Sequence, residues 1–142
     1  MPYTKFINTR DMTTSFADYV ATQDARNDIQ LKIREYCLML CDALEMNFKG
    51  RNKGIVAGRE APAYKFVIES GRKYHKIIMV QPNHNRPDSR SVHAFVDMKT
   101  GEVYKPASFK APAKHVRFNL LLINDREWLL ENADWAGGYL YK

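Results

Sequence analysis

AYKFVIESGRKYHKIIMV, residues 63–80, reads as two β-strands joined by a tight turn. Gly71-Arg72 fits a two-residue hairpin turn with glycine at the first central position, where φ is positive. That turn pairs Ser70 with Lys73, Ile68 with His75, Phe66 with Ile77 and Tyr64 with Met79. Side chains alternate along a strand, so these residues share one face, which is apolar except near the turn. Lys65, Val67, Glu69, Tyr74, Lys76, Ile78 and Val80 make a second, mixed face. The apolar face needs a cover, and the chain upstream supplies one.

From Ser15 to Met46 the pattern is helical. Ile29, Ile33, Tyr36, Cys37, Leu40 and Leu44 recur in steps of three and four, which sets one apolar stripe along about five turns. Ser15 is placed to cap this segment, and Asp24 or Asn27 can restart or continue it past a break near Thr22. Residues 1–14 are polar with few anchors and read as a loose arm. Residues 47–62 hold Gly50, Gly54 and Gly58 and read as a basic connector rather than a helix.

Downstream, QPNHNRPDSR (residues 81–90) is a loop by composition. SVHAFVD and EVYK flank Met98–Gly101 as a second hairpin, with Val92, Ala94 and Val96 alternating against His93 and Phe95. KPASFKAPAK (residues 105–114) reads as an extended segment crossing the sheet or its edge, since prolines disfavour helix and ladder alike. VRFNLLLI from Val116 is a strand or a buried segment. Asn124 or Asp125 can cap a short helix, REWLLEN, in which Trp128 and Leu129 dock. The tail packs through Trp135, Tyr139 and Tyr141. The expectation is a single α+β domain over residues 1–142: a long N-terminal helix on an antiparallel sheet of about four strands, closed by a short C-terminal helix.

Charge is unevenly placed along the 142 residues. Residues 1–46 carry 5 Lys+Arg against 7 Asp+Glu, residues 47–117 carry 15 against 5, and residues 118–142 carry 2 against 4. A basic block between mildly acidic ends points to an anionic partner, nucleic acid or an acidic protein surface. KPASFKAPAKHVR is its sharpest part. Lys105, Lys110, Lys114 and Arg117 stand at fixed spacing on a stiff backbone, and Ser108 can donate to a phosphate oxygen. Lys49, Arg51 and Lys53 in the connector and Arg86 and Arg90 in the 81–90 segment complete the candidate set. Tyr64, Tyr74, Phe95, Tyr104 and Phe109 interleave with lysines, and an exposed subset of them can stack on bases.

Chemistry is less well supported. Glu69, His75 and His93, with Asp97 at a strand end, are the only groups that would serve a small nuclease, and nothing in their spacing makes them converge. The four histidines show no metal-ligand spacing, and Cys37 and Cys41 lie in the helix stripe as reduced, buried thiols. No phosphate-loop, dinucleotide, zinc-protease or nucleophile-elbow motif occurs, so neither cofactor nor metal is expected. No 18-residue apolar run offers a membrane span.

HAFVDMKTGEVYKPASFKAPAKHVRFNL, residues 93–120, resembles a group of small uncharacterised proteins encoded by tailed bacteriophages. The resemblance implies a small protein at work in the cytoplasm of an infected bacterium and assigns no residue a role. The leading expectation is a non-enzymatic phage accessory protein that binds nucleic acid or an acidic partner. The alternatives are a structural or assembly homo-oligomer joined through its aromatic tail, and a small nuclease.

Overall fold

A computed structural model describes residues 12–51, 55–56, 59–60 and 63–141. Residues 1–11, most of the expected arm, lie outside the described residues, as does Lys53. The chain forms helix α1 (Met12–Arg51), a short β1–β2 pair (Ile55–Val56, Arg59–Glu60), then β3 (Lys65–Ser70), β4 (Tyr74–Asn83), β5 (Arg86–Asp97), β6 (Glu102–Tyr104) and β7 (Phe118–Asn119). Helix α2 (Ile123–Asn132) and a 3-10 turn (Gly138–Leu140) follow. Strands β3 to β7 make one antiparallel sheet in sequence order. The architecture is the expected α+β one, with a fifth strand supplied by the apolar segment after Val116.

Helix α1 is a single 40-residue element, about 60 Å long at 1.5 Å per residue. It does not break at Thr22, whose hydroxyl donates back to the Asp18 carbonyl at 2.8 Å and so is satisfied within the helix. It starts before Ser15, which is therefore no cap, and runs on through Gly50, so Lys49 and Arg51 lie in its last turn rather than in a connector. Cations there meet the negative end of the helix dipole. The stripe buries Ile33, Cys37, Leu40, Cys41 and Leu44, but Ile29 is 42% exposed. No residue from 16 to 32 is buried.

The stripe packs on Phe66, Ile77, Ala94, Val96, Val103 and Phe118 of the sheet and on Leu120, Leu129, Tyr139 and Leu140 beyond it. Two bonds tie α1 at distant points: the Phe66 N–H donates to Glu45 Oε2 at 3.0 Å, and the Trp135 N–H donates to Asn47 Oδ1 at 3.0 Å. Phe48, Tyr64 and Trp135 make an aromatic cluster at the same end, with Phe48 and Tyr64 stacked at 4.2 Å.

The first hairpin slips two residues from its expected register. Ser70 pairs with His75, Ile68 with Ile77 and Phe66 with Met79, so the turn moves one residue on to Arg72-Lys73, closed by the Gly71 N–H donating to the Tyr74 carbonyl at 2.9 Å. The slip sets aliphatic against aliphatic, brings Glu69 opposite Lys76, and lets Ser70 Oγ bond His75 Nδ1 at 2.6 Å. An even slip keeps every side chain on its face.

Residues 81–90 are not a loop. They continue β4 and β5 as a two-stranded ribbon, with a register shift around Pro82, which has no N–H to give, and a turn at His84-Asn85, where Asn85 takes a φ of 59°. The second hairpin turns as expected. Asp97 Oδ1 accepts the N–H groups of Lys99 and Thr100 at 2.8 and 3.0 Å, and Gly101 takes a φ of 76°.

Helix α2 begins after Leu122 with no side-chain cap. Asp125 does not cap it; its Oδ2 accepts the Asn119 N–H at 2.8 Å and so ties the helix to β7. Arg126 joins the two helices, its guanidinium 4.1 Å from the Tyr36 ring centroid and its Nη1 donating to the Leu120 carbonyl at 2.8 Å. Leu129 docks fully. Among the described residues no helix is long and apolar enough to cross a membrane.

Candidate functional site

Alternation on β3 and β4 sends Lys65, Val67, Glu69, Tyr74, Lys76, Ile78 and Val80 away from α1. Phe95 and Tyr104 join that outer face, opposite Lys76 and next along the sheet. Four of the five aromatics expected among the lysines thus come together: Tyr74 meets Phe95 at 5.6 Å and Tyr104 at 6.0 Å, both edge-on. Tyr64 belongs to the α1-side cluster instead.

The fourth aromatic, Phe109, arrives on the 105–117 segment, which does not cross the sheet in extended form. It doubles back on itself. The Ala113 N–H donates to the Lys105 carbonyl at 2.7 Å, Pro106 bridges Pro112, and the Arg117 N–H donates to Val103 at 2.7 Å. At the tip, Ser108 Oγ accepts the N–H groups of Lys110 and Ala111, each at 3.2 Å. Its lone pairs hold the turn, and its O–H stays available as a donor. The fold-back sets the Phe109 ring over the outer face with the Lys76 ammonium 4.7 Å from its centroid; the same ammonium is 5.8 Å from Phe95. Lys73 lies 5.3 Å from the Tyr74 ring. Such contacts hold a cation at a ring face at little cost in hydration.

The ten expected binding residues divide among three places and one position outside the described residues. Lys49 and Arg51 end α1, Arg86 and Arg90 lie on the β4–β5 ribbon, and Lys105, Ser108, Lys110, Lys114 and Arg117 belong to the folded-back segment. Arg90 is engaged with Glu69, whose carboxyl that hydrogen bond holds below its ordinary range. Lys105 is half-buried with its ammonium 4.1 Å from the Tyr141 ring centroid. Lys110 and Lys114 are exposed and have no ion-pair partner among the described residues. Lys73 and Lys76 were absent from the expected set, although the alternation of β4 already put Lys76 on this face.

The groups considered for a nuclease do not converge. Glu69 is on the outer face with Arg90. His75 is buried on the opposite face against Ser70, with its pKa lowered first by burial and then by Arg34. His93 was expected beside Phe95, but it is the extra residue of a bulge: Ile77 pairs with Ala94 and Ile78 with Val92. The bulge turns His93 into the core, edge-on to Phe66 and bonded through Nε2 to Tyr139 Oη at 2.7 Å. Burial pushes its pKa down to about 4, so the ring is neutral. Asp97 is committed to its turn. Cys37 and Cys41 are free and buried, and burial pushes both thiols up to about 12. Among the described residues no three His, Cys, Asp or Glu side chains gather as metal ligands.

Neither a curated protein nor a solved structure matches the chain. A family model does, over residues 16–142, which covers α1 except its first four residues, all of α2, the five-stranded sheet and the folded-back segment. On that match the chain belongs to DUF7717, a family of unknown function.

Proposed function

We propose that this protein binds single-stranded nucleic acid, without catalysis, across the outer face of its sheet. The observation that supports this reading is Phe109. It is 44% exposed at the tip of a braced loop, next to exposed Lys110 and above Lys76. An open ring bordered by cations matches what a strand presents, since any base can stack on the ring while phosphates meet the ammonium groups. The setting would be that of a phage accessory protein in the cytoplasm of an infected bacterium, in keeping with the resemblance of residues 93–120.

The test is anisotropy of labelled single-stranded DNA and RNA against salt. If Lys110 and Lys114 each neutralise one phosphate, replacing both with Gln flattens the log–log salt slope by about 1.4. It weakens all sequences alike, because phosphates carry no sequence information. Phe109→Ala costs about 1–3 kcal/mol of binding with no change in slope. Absence of binding to DNA and RNA at low salt sinks the reading, and these cations then pass to an acidic protein surface.

A second reading, assembly with further copies, draws on α1. Val20, Ile29 and Leu31 are exposed apolar residues on its first half, and Leu31 is 62% exposed. Sedimentation that gives a stable oligomer without nucleic acid would favour it.

A further inference from the structure

Two clefts meet at Tyr141. One, of about 650 Å³, lies between α2 and the C-terminal tail; Phe118, Trp128, Tyr139 and Tyr141 wall it, and Asn124 and Asp125 are its polar members. The other, of about 350 Å³, lies between the tail and the β5–β6 region, where Ser91, His93, Lys105, Trp135 and Tyr141 face it. Both volumes fall within the range of small-molecule sites, about 300–1,000 Å³.

The larger cleft offers a ring surface. Phe118 and Trp128 stack at 5.2 Å with 20° between their planes, so Phe118 covers one side of the indole. Trp128 nevertheless remains 45% exposed, and Tyr141 is 72% exposed. The two polar side chains supply an amide and a carboxylate, which together donate to and accept from the edge of a planar heterocycle.

The smaller cleft is cationic, and no carboxylate lines it. Lys105 holds its ammonium at Tyr141, the ring common to both clefts, and has no ion-pair partner among the described residues. His93 gives its Nε2 to Tyr139, which leaves Nδ1 without a hydrogen-bond partner among the described residues. Gly137 turns the chain beside the imidazole with a φ of 84°, and the nearest atom to a Cβ built there would be His93 Cε1 at 3.6 Å, an ordinary contact. Tyr139 lines the aromatic cleft while its hydroxyl bonds the histidine of the cationic one. The partition between the two is therefore itself a braced pair.

An aromatic chamber joined through one ring to a chamber that offers an ammonium, an imidazole nitrogen and a hydroxyl suits a planar ring carrying an anionic group. The geometry points to a mononucleotide, free or as the end of a strand, with its base in the Trp128 cleft and its phosphate at Lys105 and His93. The site uses none of Lys76, Phe109, Lys110 or Lys114, so it stands or falls separately from the outer-face reading.

Both tryptophans of the chain line the site, one in each cleft, so intrinsic fluorescence reports on it directly. Titration with adenosine monophosphate is expected to give saturable quenching, with adenosine at least about tenfold weaker because it lacks the charge-assisted contacts. Lys105→Met should bring nucleotide and nucleoside to similar affinity, and Lys105→Arg should keep the preference. Trp128→Leu should weaken both ligands together. Far-UV circular dichroism and melting of each variant separate lost binding from lost folding. Competition by an oligonucleotide with a 5′-phosphate, but not by its 5′-hydroxyl form, identifies a strand end as the ligand; lack of competition by either identifies the free nucleotide. No saturable quenching by any of the four nucleoside monophosphates at millimolar concentration overturns the proposal, as does an unchanged nucleotide preference in a folded Lys105→Met variant.

Discussion

His93 Nε2 and Tyr139 Oη lie 2.7 Å apart, although 46 positions separate them in the chain. The bond ties the bulge of β5 to the C-terminal 3-10 turn through the core. Tyr139→Phe keeps the ring and removes the hydroxyl, so it strands a buried imidazole nitrogen. The expected cost is about 1–3 kcal/mol in urea unfolding. A loss below about 0.5 kcal/mol would mean that water replaces the phenol.

The same burial gives stability a pH dependence. His93 is pushed down from 6.5 to about 4, and His75 is lowered too, with burial the main cause in each. Below 6.5 the unfolded chain takes up protons at these positions that the folded chain refuses, so stability is full above that pH and is lost as pH falls toward 4. For His93 alone the span corresponds to about 3 kcal/mol. Unfolding midpoints taken across the range should rise with pH, and His93→Gln should reduce the slope; an unchanged slope would contradict this origin.

Three glycines should behave differently. Gly101 has a φ of 76°, and an added Cβ would stand 3.1 Å from Leu121 Cγ and 3.3 Å from Asn119 Oδ1, so Gly101→Ala should cost more than about 1 kcal/mol. At Gly71 the new atom meets only the Tyr74 carbonyl at 3.7 Å, and the change should be near neutral. Gly50 has nothing within 4 Å and sits in the last turns of α1. Gly50→Ala should raise stability by about 0.5–1 kcal/mol. Melting of the three variants ranks them.

Cys37 and Cys41 should resist modification in the folded state, because burial holds both thiols protonated at neutral pH. Treatment with a thiol reagent should label neither until denaturant is added, after which both react. Rapid labelling of the native protein would contradict their placement.

Ile33→Ala and Leu40→Ala should each cost about 2–5 kcal/mol, because both side chains are fully buried between helix and sheet. Leu31→Ala, two positions away but exposed, should stay within about 0.5 kcal/mol. Equal losses at positions 31 and 33 would mean that the first half of α1 is covered in solution.

Local periodicity carried the helix and the faces of the strands into view, because Ile33, Cys37, Leu40 and Leu44 repeat at helical spacing and Phe66 to Met79 alternate. The Asp97–Gly101 turn was legible from residue chemistry alone. What stayed hidden was tertiary. A two-residue slip leaves alternation intact, so the first register could not be read from pattern. The bulge at His93 reverses a face with one residue and no compositional mark. The ribbon at 81–90 buries few side chains and so carries no apolar signal to outweigh its turn-forming residues. For the site, Lys110 and Lys114 were legible as exposed charge, whereas the meeting of Phe109 with Lys76 depends on a fold-back that no local rule encodes.

Helix α1 is continuous in hydrogen bonding but not in support. From Ile33 onward it is clamped by the sheet, and none of residues 16–32 is buried. A bare stretch of that length is marginal as an isolated helix in water. Amide hydrogen exchange should therefore show a step near Ile33: amides in residues 20–31 exchange through local fraying, within a small fraction of the time needed after it, where exchange awaits opening of the whole fold. One helix thus holds two clocks, and anything that settles on its first half would be detected as the fast one slowing to match the other.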